Sequence, residues 1–241
     1  MGFDLAMQLA KVMILITNKI EAFRIFKIML WIIFIIPILS SCNGKSEKDI
    51  PVAEEGFIDL TDWDFDSDGP IQLKGQWRFA WSDFIEPGPA DLIRKKYNGF
   101  IRVPAVWDSE LTPGKPNEPL PGKGDGSYLL EIKLNPKNKE SIEQLALTFY
   151  SGKSGRAQVW DVTGTNLLVQ LEQGKPATSK DLEVPLGLAQ VKSFRKNGHE
   201  SLFIIAHISN FNELAGGFWD APVLGLDGDV RGQIFEKLFR S

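Results

Sequence analysis

From Ile71 onward the run Ile-Gln-Leu-Lys-Gly-Gln-Trp-Arg-Phe-Ala-Trp puts an apolar or small residue at every second position up to Trp81. A period of two marks a strand with one face buried. Ile71, Leu73, Trp77, Phe79 and Trp81 load that face with large side chains. Such a face is stable only against a second apolar layer. Gly75 interrupts the set, and a glycine inside a strand pattern signals a bulge or a close approach of other backbone. One strand over 71–81, in a layered β-rich domain, is the first expectation.

The same period returns at 100–104, 127–134 and 144–150. Residues 156–161 and 167–171 read as a hairpin about Thr163, Gly164 and Thr165. Weaker strands are expected at 182–186 and 221–226. Residues 201–208 are almost continuously apolar, which predicts a central strand covered on both faces. Between the strands lie a loop over 84–99 with a helical piece at 90–96, and a long Pro- and Gly-rich loop over 109–126. The 22 glycines and 14 prolines are spread along the chain, as many short strands joined by turns require. The fold class is all-β, an antiparallel β-sandwich over residues 56–227. After it, Val230, Ile234 and Leu238, with Phe235 and Phe239, fall at helical spacing, so 228–241 is expected to be a short helix.

The start of the chain has a different character. Lys19, Arg24 and Lys27 precede a 12-residue apolar run at 28–39. A spanning helix needs ~20 residues, so residues 1–41 read as a signal-peptide helix, the competing reading being an uncleaved anchor helix with an incidental cysteine. Leu39-Ser40-Ser41-Cys42 resembles a bacterial lipobox, and Cys42 is the one cysteine of the chain. Cys42 is therefore the expected lipidation site, with residues 42–55, polar and aperiodic, as a tether. This places the domain at the bacterial cell envelope, on the periplasmic or surface face, held to the membrane by lipid.

Composition narrows the function. A single cysteine leaves no internal disulfide, and with two histidines it cannot build a conventional zinc site without carboxylate help. It also leaves few nucleophile-and-base pairs. The net charge of −4 comes with no basic stripe, which argues against a nucleic-acid partner. Asp62, Asp64, Asp66 and Asp68, followed by Gly69, invite a calcium reading. A calcium loop starting at Asp64 would reach its essential twelfth ligand at Gly75, so the segment reads as an Asp-rich turn with Trp63 and Phe65 facing the core, a calcium site of another kind being the alternative. No metal or cofactor is expected.

Two related patterns resemble known families. Leu73-Lys-Gly75-Gln-Trp77-Arg-Phe79, Ile101-Arg-Val103-Pro104-Ala-Val-Trp107, Gly126-Ser-Tyr128-Leu-Leu-Glu-Ile132 and Ala157-Gln-Val159-Trp160 look like the sugar-binding jelly roll of glycoside hydrolase family 2. Asp59-Leu60-Thr-Asp-Trp63-Asp64-Phe65, Asp68-Gly69-Pro70-Ile71, Ile208-Ser209-Asn210-Phe211 and Gly216-Gly217 resemble the extracellular sensor of bacterial seven-transmembrane receptors with diverse intracellular signalling modules. Both resemblances imply a galactose-binding-like jelly-roll sandwich. The second implies a sensor for a carbohydrate or other small exported molecule, followed in those receptors by membrane helices and a cyclase, kinase or phosphatase. This chain departs from that plan after Leu226, where no apolar stretch follows. Trp160-Asp161-Val162 also stands where an Asn-Gly turn is usual. The expectation is a self-standing lipoprotein relative or a truncated receptor.

A sugar site needs an aromatic face for C–H groups and carboxylates or amides for hydroxyls, carried on loops. The loop-borne candidates are Trp107, Asp108, Asp125, Tyr128, Asn210, Trp219 and Asp220. Trp107 and Trp219 each precede an aspartate. The competing reading is that these tryptophans seal the ends of the core. Asn210 also reads as a turn cap, His207 as a core histidine and His199 as a solvated turn residue. No catalytic residue is expected, because the catalytic acids of glycoside hydrolase family 2 lie in a domain this chain lacks. Two other readings stay open: an envelope protein with a protein partner on the same face, and a glycan hydrolase using a carboxylate pair such as Asp108 and Asp220. Cys42→Ala should abolish labelling of the expressed protein by a fatty-acid analogue; labelling that persists would remove the lipobox reading.

Overall fold

In the computed structural model, which describes residues 48–239 apart from 116, 137–143, 152–153 and 177–188, the alternating run 71–81 does not form one strand. The chain divides into two compact units, Met1–Asp49 and Ile50–Ser241, and the elements described here all lie in the second. The expected signal peptide, Cys42 and the strand at 182–186 fall outside the described residues.

In chain order the elements begin with β1 (Phe57–Leu60), α1 (Phe65–Asp68), β2 (Ile71–Gln72), β3 (Gly75–Trp81), α2 (Ala90–Ile93), β4 (Gly99–Val103) and β5 (Ala105–Val106). Then come β6 (Gly124–Leu134), β7 (Leu145–Phe149), β8 (Ser154–Asp161), β9 (Leu167–Gln173) and β10 (Gln190–Phe194). The chain finishes with β11 (Ser201–Asn210), β12 (Gly217–Phe218), β13 (Val223–Leu226) and α3 (Asp227–Phe239). β10, the short β1 and the β5–β12 pair are absent from the sequence reading, because none has a sustained apolar alternation.

Two sheets pack face to face, as the sandwich expectation requires. The main sheet runs β4-β3-β6-β11-β8-β9, and the second runs β10-β7-β13-β2. Nearly all pairings are antiparallel. The exception is β1, which lies parallel to the C-terminal half of β6, from Phe57↔Glu131 to Leu60↔Leu134. β3 takes the N-terminal half of the same edge, from Arg78↔Leu129 to Trp81↔Gly126. The alternation in β11 sends Leu202, Ile204, Ala206 and Ile208 between the sheets, against Tyr128, Leu130 and Ile132 of β6 and Leu145, Leu147 and Phe149 of β7.

The other face of β11 is apolar too. Phe203 and Ile205 join Leu129 and Ala80 in a second cluster, closed by Ile85, Ile93 and Tyr97. These last three come from residues 82–97, which run as a strap across the outside of the main sheet. The expected helical piece is here, as α2 followed by a 3-10 turn at Arg94–Lys96. So β11 is central and covered on both sides, as its unbroken apolar run requires. The strap is tied down by polar contacts as well. Ser127 Oγ accepts from the Ile85 N–H at 3.0 Å and donates to the Asp83 carbonyl at 2.5 Å. The Arg94 guanidinium donates to Glu131 at 2.6 Å.

The Asp-rich segment is a capped turn. Asp64 caps α1 by accepting from the Asp66 N–H at 3.0 Å, while its own N–H donates to Asp68 at 2.8 Å. Trp63 and Phe65 are buried beneath it. The hairpin turn after β8 is closed by Asp161, whose carboxylate accepts from the Thr163 hydroxyl at 2.8 Å and from the Asn166 amide at 2.6 Å. Burial raises the pKa of Asp161, but the hydrogen bonds from Asn166 and Thr163 outweigh it and bring it to about 2. Among the described residues no helix is long and apolar enough to cross a membrane.

The break in the run 71–81 has a local cause. β2 pairs with β13 in the second sheet, while β3 pairs with β4 and β6 in the first. The chain changes layers through Leu73 and Lys74, and Gly75 takes a φ of 121°. Ala53 lies against this corner, with its N–H donating to the Lys74 carbonyl and its carbonyl accepting from the Gln76 N–H, both at 2.7 Å. A Cβ on Gly75 would fall into the Ala53 backbone. The glycine is therefore a close approach, and Ala53, Glu54 and Glu55 at the end of the expected tether belong to the sandwich. Gly75→Ala should destabilise the domain by about 2–4 kcal/mol, read as a lower urea midpoint. An unchanged midpoint would mean the corner can open without cost.

Candidate functional site

The loops at one end of the sandwich meet through the short ribbon of β5 and β12, where Ala105 pairs with Phe218 and Val106 with Gly217. Alternation across β12 and the residue after it decides which aromatic faces inward. Phe218 turns into the core and meets Trp77, Tyr128 and Phe149 at ring separations of 5.4, 4.9 and 5.7 Å. Trp219, the next residue, is turned outward and keeps 48% of its surface exposed. Asp220 beside it is half-buried.

Trp107 and Tyr128 are brought together, but below the surface. Both are fully buried, and the Trp107 Nε1–H donates to the Tyr128 hydroxyl at 2.6 Å. Trp107 also meets Trp81 edge-on at 4.9 Å. Its ring lies so close over Gly216 that a Cβ there would clash with it. Both side chains therefore build the floor of this end and are not on loops at its surface. Tyr128 sits within β6, and burial pushes its phenol pKa up.

Asn210 is the last residue of β11, and its side chain is committed to the scaffold. Its Nδ2 donates to the carbonyls of Gly122 at 2.7 Å and Glu213 at 3.1 Å, and its Oδ1 accepts from the Glu213 N–H at 3.1 Å. It caps the 210–213 turn and pins the 109–123 loop to it. Asp108 is exposed on a 3-10 turn, Trp107–Ser109. The ribbon register carries Asp108 and Asp220 off its two opposite ends, so the β5–β12 pairing does not bring these carboxylates together. Asp125 lies apart from them. It is in β6, on the outer face of the main sheet, and only 5% exposed. Burial, then the nearby Asp83, raises its pKa.

Two exposed apolar side chains lie on the loops at the Asp108 end of the ribbon: Leu111 is 54% exposed and Leu214 89%. A shallow cleft of about 510 Å³ between α1 and α3, lined by Asp66, Asp68, Asp229 and Glu236, holds none of the candidates. Among the described residues no three His, Cys, Asp or Glu side chains gather as a metal site. Phe218, the hub that orients Trp219, was missed in the sequence. The signal was present in the order Phe-Trp, but only the β12–β5 register says which ring points in.

His207 lies on the outer sheet face beneath the strap. Its Nε2 is 3.1 Å from the Ile85 carbonyl and its Nδ1 2.9 Å from Arg156, and its ring lies 5.0 Å from that of Phe84. The neutral imidazole with its proton on Nε2 donates to Ile85 and accepts from Arg156. Burial lowers the His207 pKa; the Ile85 bond opposes this, Arg156 reinforces it, and Glu86 and Asp83 oppose it more weakly.

No family model matches the sequence, and no curated protein is similar to it. Solved structures resemble part of it. A glycosyl hydrolase family 2 member from Bacteroides cellulosilyticus shares 14% identity over 65% of this chain and 20% of its own, with a TM-score of 0.42. A β-glucuronidase of glycoside hydrolase family 2 shares 15% over 64% and 17%, with a TM-score of 0.41. A family 2 β-galacturonidase from Eisenbergiella tayi, bound to galacturonate, shares 12% over 64% and 24%, with a TM-score of 0.38. The matched part of the chain thus spans about a fifth of the length of these proteins. The sandwich itself rests on the strand pairing described above.

The lowered His207 pKa sets a pH dependence. As pH falls through about 6.5 the unfolded chain takes up this proton before the folded one does. The His207 contribution is whole above that pH and is lost progressively toward the lower folded value. Urea midpoints measured at about pH 7.5 and about pH 5.5 should fall less in His207→Gln than in the wild type. Equal losses would show that His207 is not a titrating group in this range.

Proposed function

We propose that this chain is a binding module without catalysis of its own, held at the bacterial cell envelope by lipid on Cys42. Its ligand is carbohydrate-like and is taken at the loop end around Trp219. The module is of the sensor type, related to the ectodomains of the seven-transmembrane signalling receptors.

The outward-facing Trp219 carries this reading. It keeps 48% of its surface exposed, and an indole face at the surface can cover the C–H groups of a sugar. Its neighbour Phe218 is locked into the core, so the indole is presented on a rigid base and loses little freedom on binding. Asp220, half-buried, stands next to it in the chain. Trp107, Tyr128 and Asn210 serve this end by holding the two loops together. The resemblance of the sequence to sugar-binding jelly rolls supports the ligand class.

A second reading, an envelope protein as partner, is favoured by one specific observation. Leu111 and Leu214 are exposed on the same loops and offer nothing to a hydroxyl group. A protein surface would cover such side chains, whereas a sugar hydroxyl gains nothing from them.

A thermal-shift screen against a glycan panel separates the two readings. At least one glycan should raise the unfolding midpoint of the wild type, and Trp219→Ala should abolish that rise. About half of the indole is packed on the domain, so the unliganded variant should itself lose about 1–2 kcal/mol, and the glycan-dependent rise is read against its own unliganded midpoint. If no glycan stabilises the wild type, the carbohydrate reading fails and the protein-partner reading stands.

A further inference from the structure

The outer face of the main sheet carries a row of unmet hydrogen-bonding groups. Arg156, Gln158 and Trp160 alternate along β8 on that face, opposite His207, Ile205 and Phe203 of β11. Arg156 Nε, Gln158 Oε1 and Trp160 Nε1 are each buried with no hydrogen-bond partner. Only two other such side-chain atoms occur among the described residues, on Thr112 and Asp125. Buried polar groups are paired as a rule, so three consecutive unpaired ones on one strand face call for a partner.

The three side chains are held in place by their other ends. The Gln158 Nε2 donates to Gln170 Oε1 at 2.6 Å, which leaves the amide oxygen unused. The terminal nitrogen of Arg156 is engaged by His207 at 2.9 Å and lies 3.9 Å from Glu86, which leaves Nε–H unused. Trp160 packs against the cluster beneath the strap. The result is a donor, an acceptor and a donor in a line, each step about 6.5 Å along the strand. Arg156 and Trp160 are half-buried on this face, and on the neighbouring β9 Gln170 is half-buried and Glu172 exposed.

We infer that this row on β8 is a second binding site, for a small neutral hydroxylated molecule. A hydroxyl group both accepts and donates, so neighbouring hydroxyls can satisfy Trp160 Nε1–H, Gln158 Oε1 and Arg156 Nε–H in turn. An anion fits less well, because Glu86 and Glu172 flank the single guanidinium. A cation would meet two donors and one acceptor. This site does not rest on the Trp219 reading and lies on a different part of the fold.

The test is a titration of the full chain, ¹⁵N-labelled at tryptophan, with cellobiose, maltose and myo-inositol, and with sodium sulfate as the anionic control. The Trp160 indole N–H signal is assigned by its loss in Trp160→Phe. At least one hydroxylated probe should shift that signal saturably, and sulfate should not. By calorimetry, Gln158→Leu and Trp160→Phe should each weaken the same probe roughly tenfold. Trp219→Ala should leave this binding unchanged, whatever becomes of the loop-end site. The inference is overturned if no hydroxylated probe moves the signal, which would leave the row to bound water. It is overturned equally if sulfate moves the signal, if Gln158→Leu and Trp160→Phe both bind as well as the wild type, or if Trp219→Ala alone abolishes binding.

Discussion

β11 is apolar on both faces, and both faces must be kept from water. Leu202, Ile204, Ala206 and Ile208 need the second sheet; Phe203 and Ile205 need something on the other side. Each of the Leu, Ile and Phe side chains contributes roughly 1.5–3 kcal/mol when fully buried, so neither face can be left open in a domain whose net stability is of that order times a few. An ordinary two-sheet sandwich covers one face of each sheet. Here the strap at 82–97 supplies the third layer, with Ile85, Ile93 and Tyr97 as its apolar anchors.

That third layer has a polar consequence. The outer face is not uniformly apolar, and the strap brings backbone and charged groups down on it. Part of this is resolved within the chain: Ser127 serves two strap residues, and His207 bridges the Ile85 carbonyl and Arg156. Beyond the reach of Ile85 the matching stops, and Arg156, Gln158 and Trp160 keep buried atoms without partners. A low-dielectric setting makes such groups costly alone and valuable once paired. The same sheet face thus carries both matched and unmatched hydrogen-bonding groups.

The loop end is built on a different economy, of aromatic packing. Phe218 contacts Trp77, Tyr128 and Phe149, and Tyr128 in turn holds Trp107. Rigid rings packed edge to face fix the direction of the short β5–β12 ribbon. Because successive residues in a strand point to opposite faces, anchoring Phe218 is what turns Trp219 outward. Asn210 and the glycines at 216 and 217 let two loops approach closely enough for this to happen.

Local alternation by itself determined much of this protein: the all-β class, β3, β4, β6, β7, β8 and β9, the buried centrality of β11, a break of some kind at Gly75 and a turn in the Asp-rich segment. These follow from side-chain period and from residues whose backbone preferences are intrinsic. Only the tertiary structure decided that the run 71–81 divides between two sheets, because that depends on Ala53 reaching the corner from outside the run. It also decided which candidate residues face water. Trp107, Tyr128 and Trp219 are equivalent as letters in a sequence, yet the first two lie in the floor and the third at the surface. Burial is a property of what packs on a residue, and strand register and the path of the strap settle that at long range. The same reason hid the row on β8: the period of two put Arg156, Gln158 and Trp160 on one face, but nothing local shows that the face is covered.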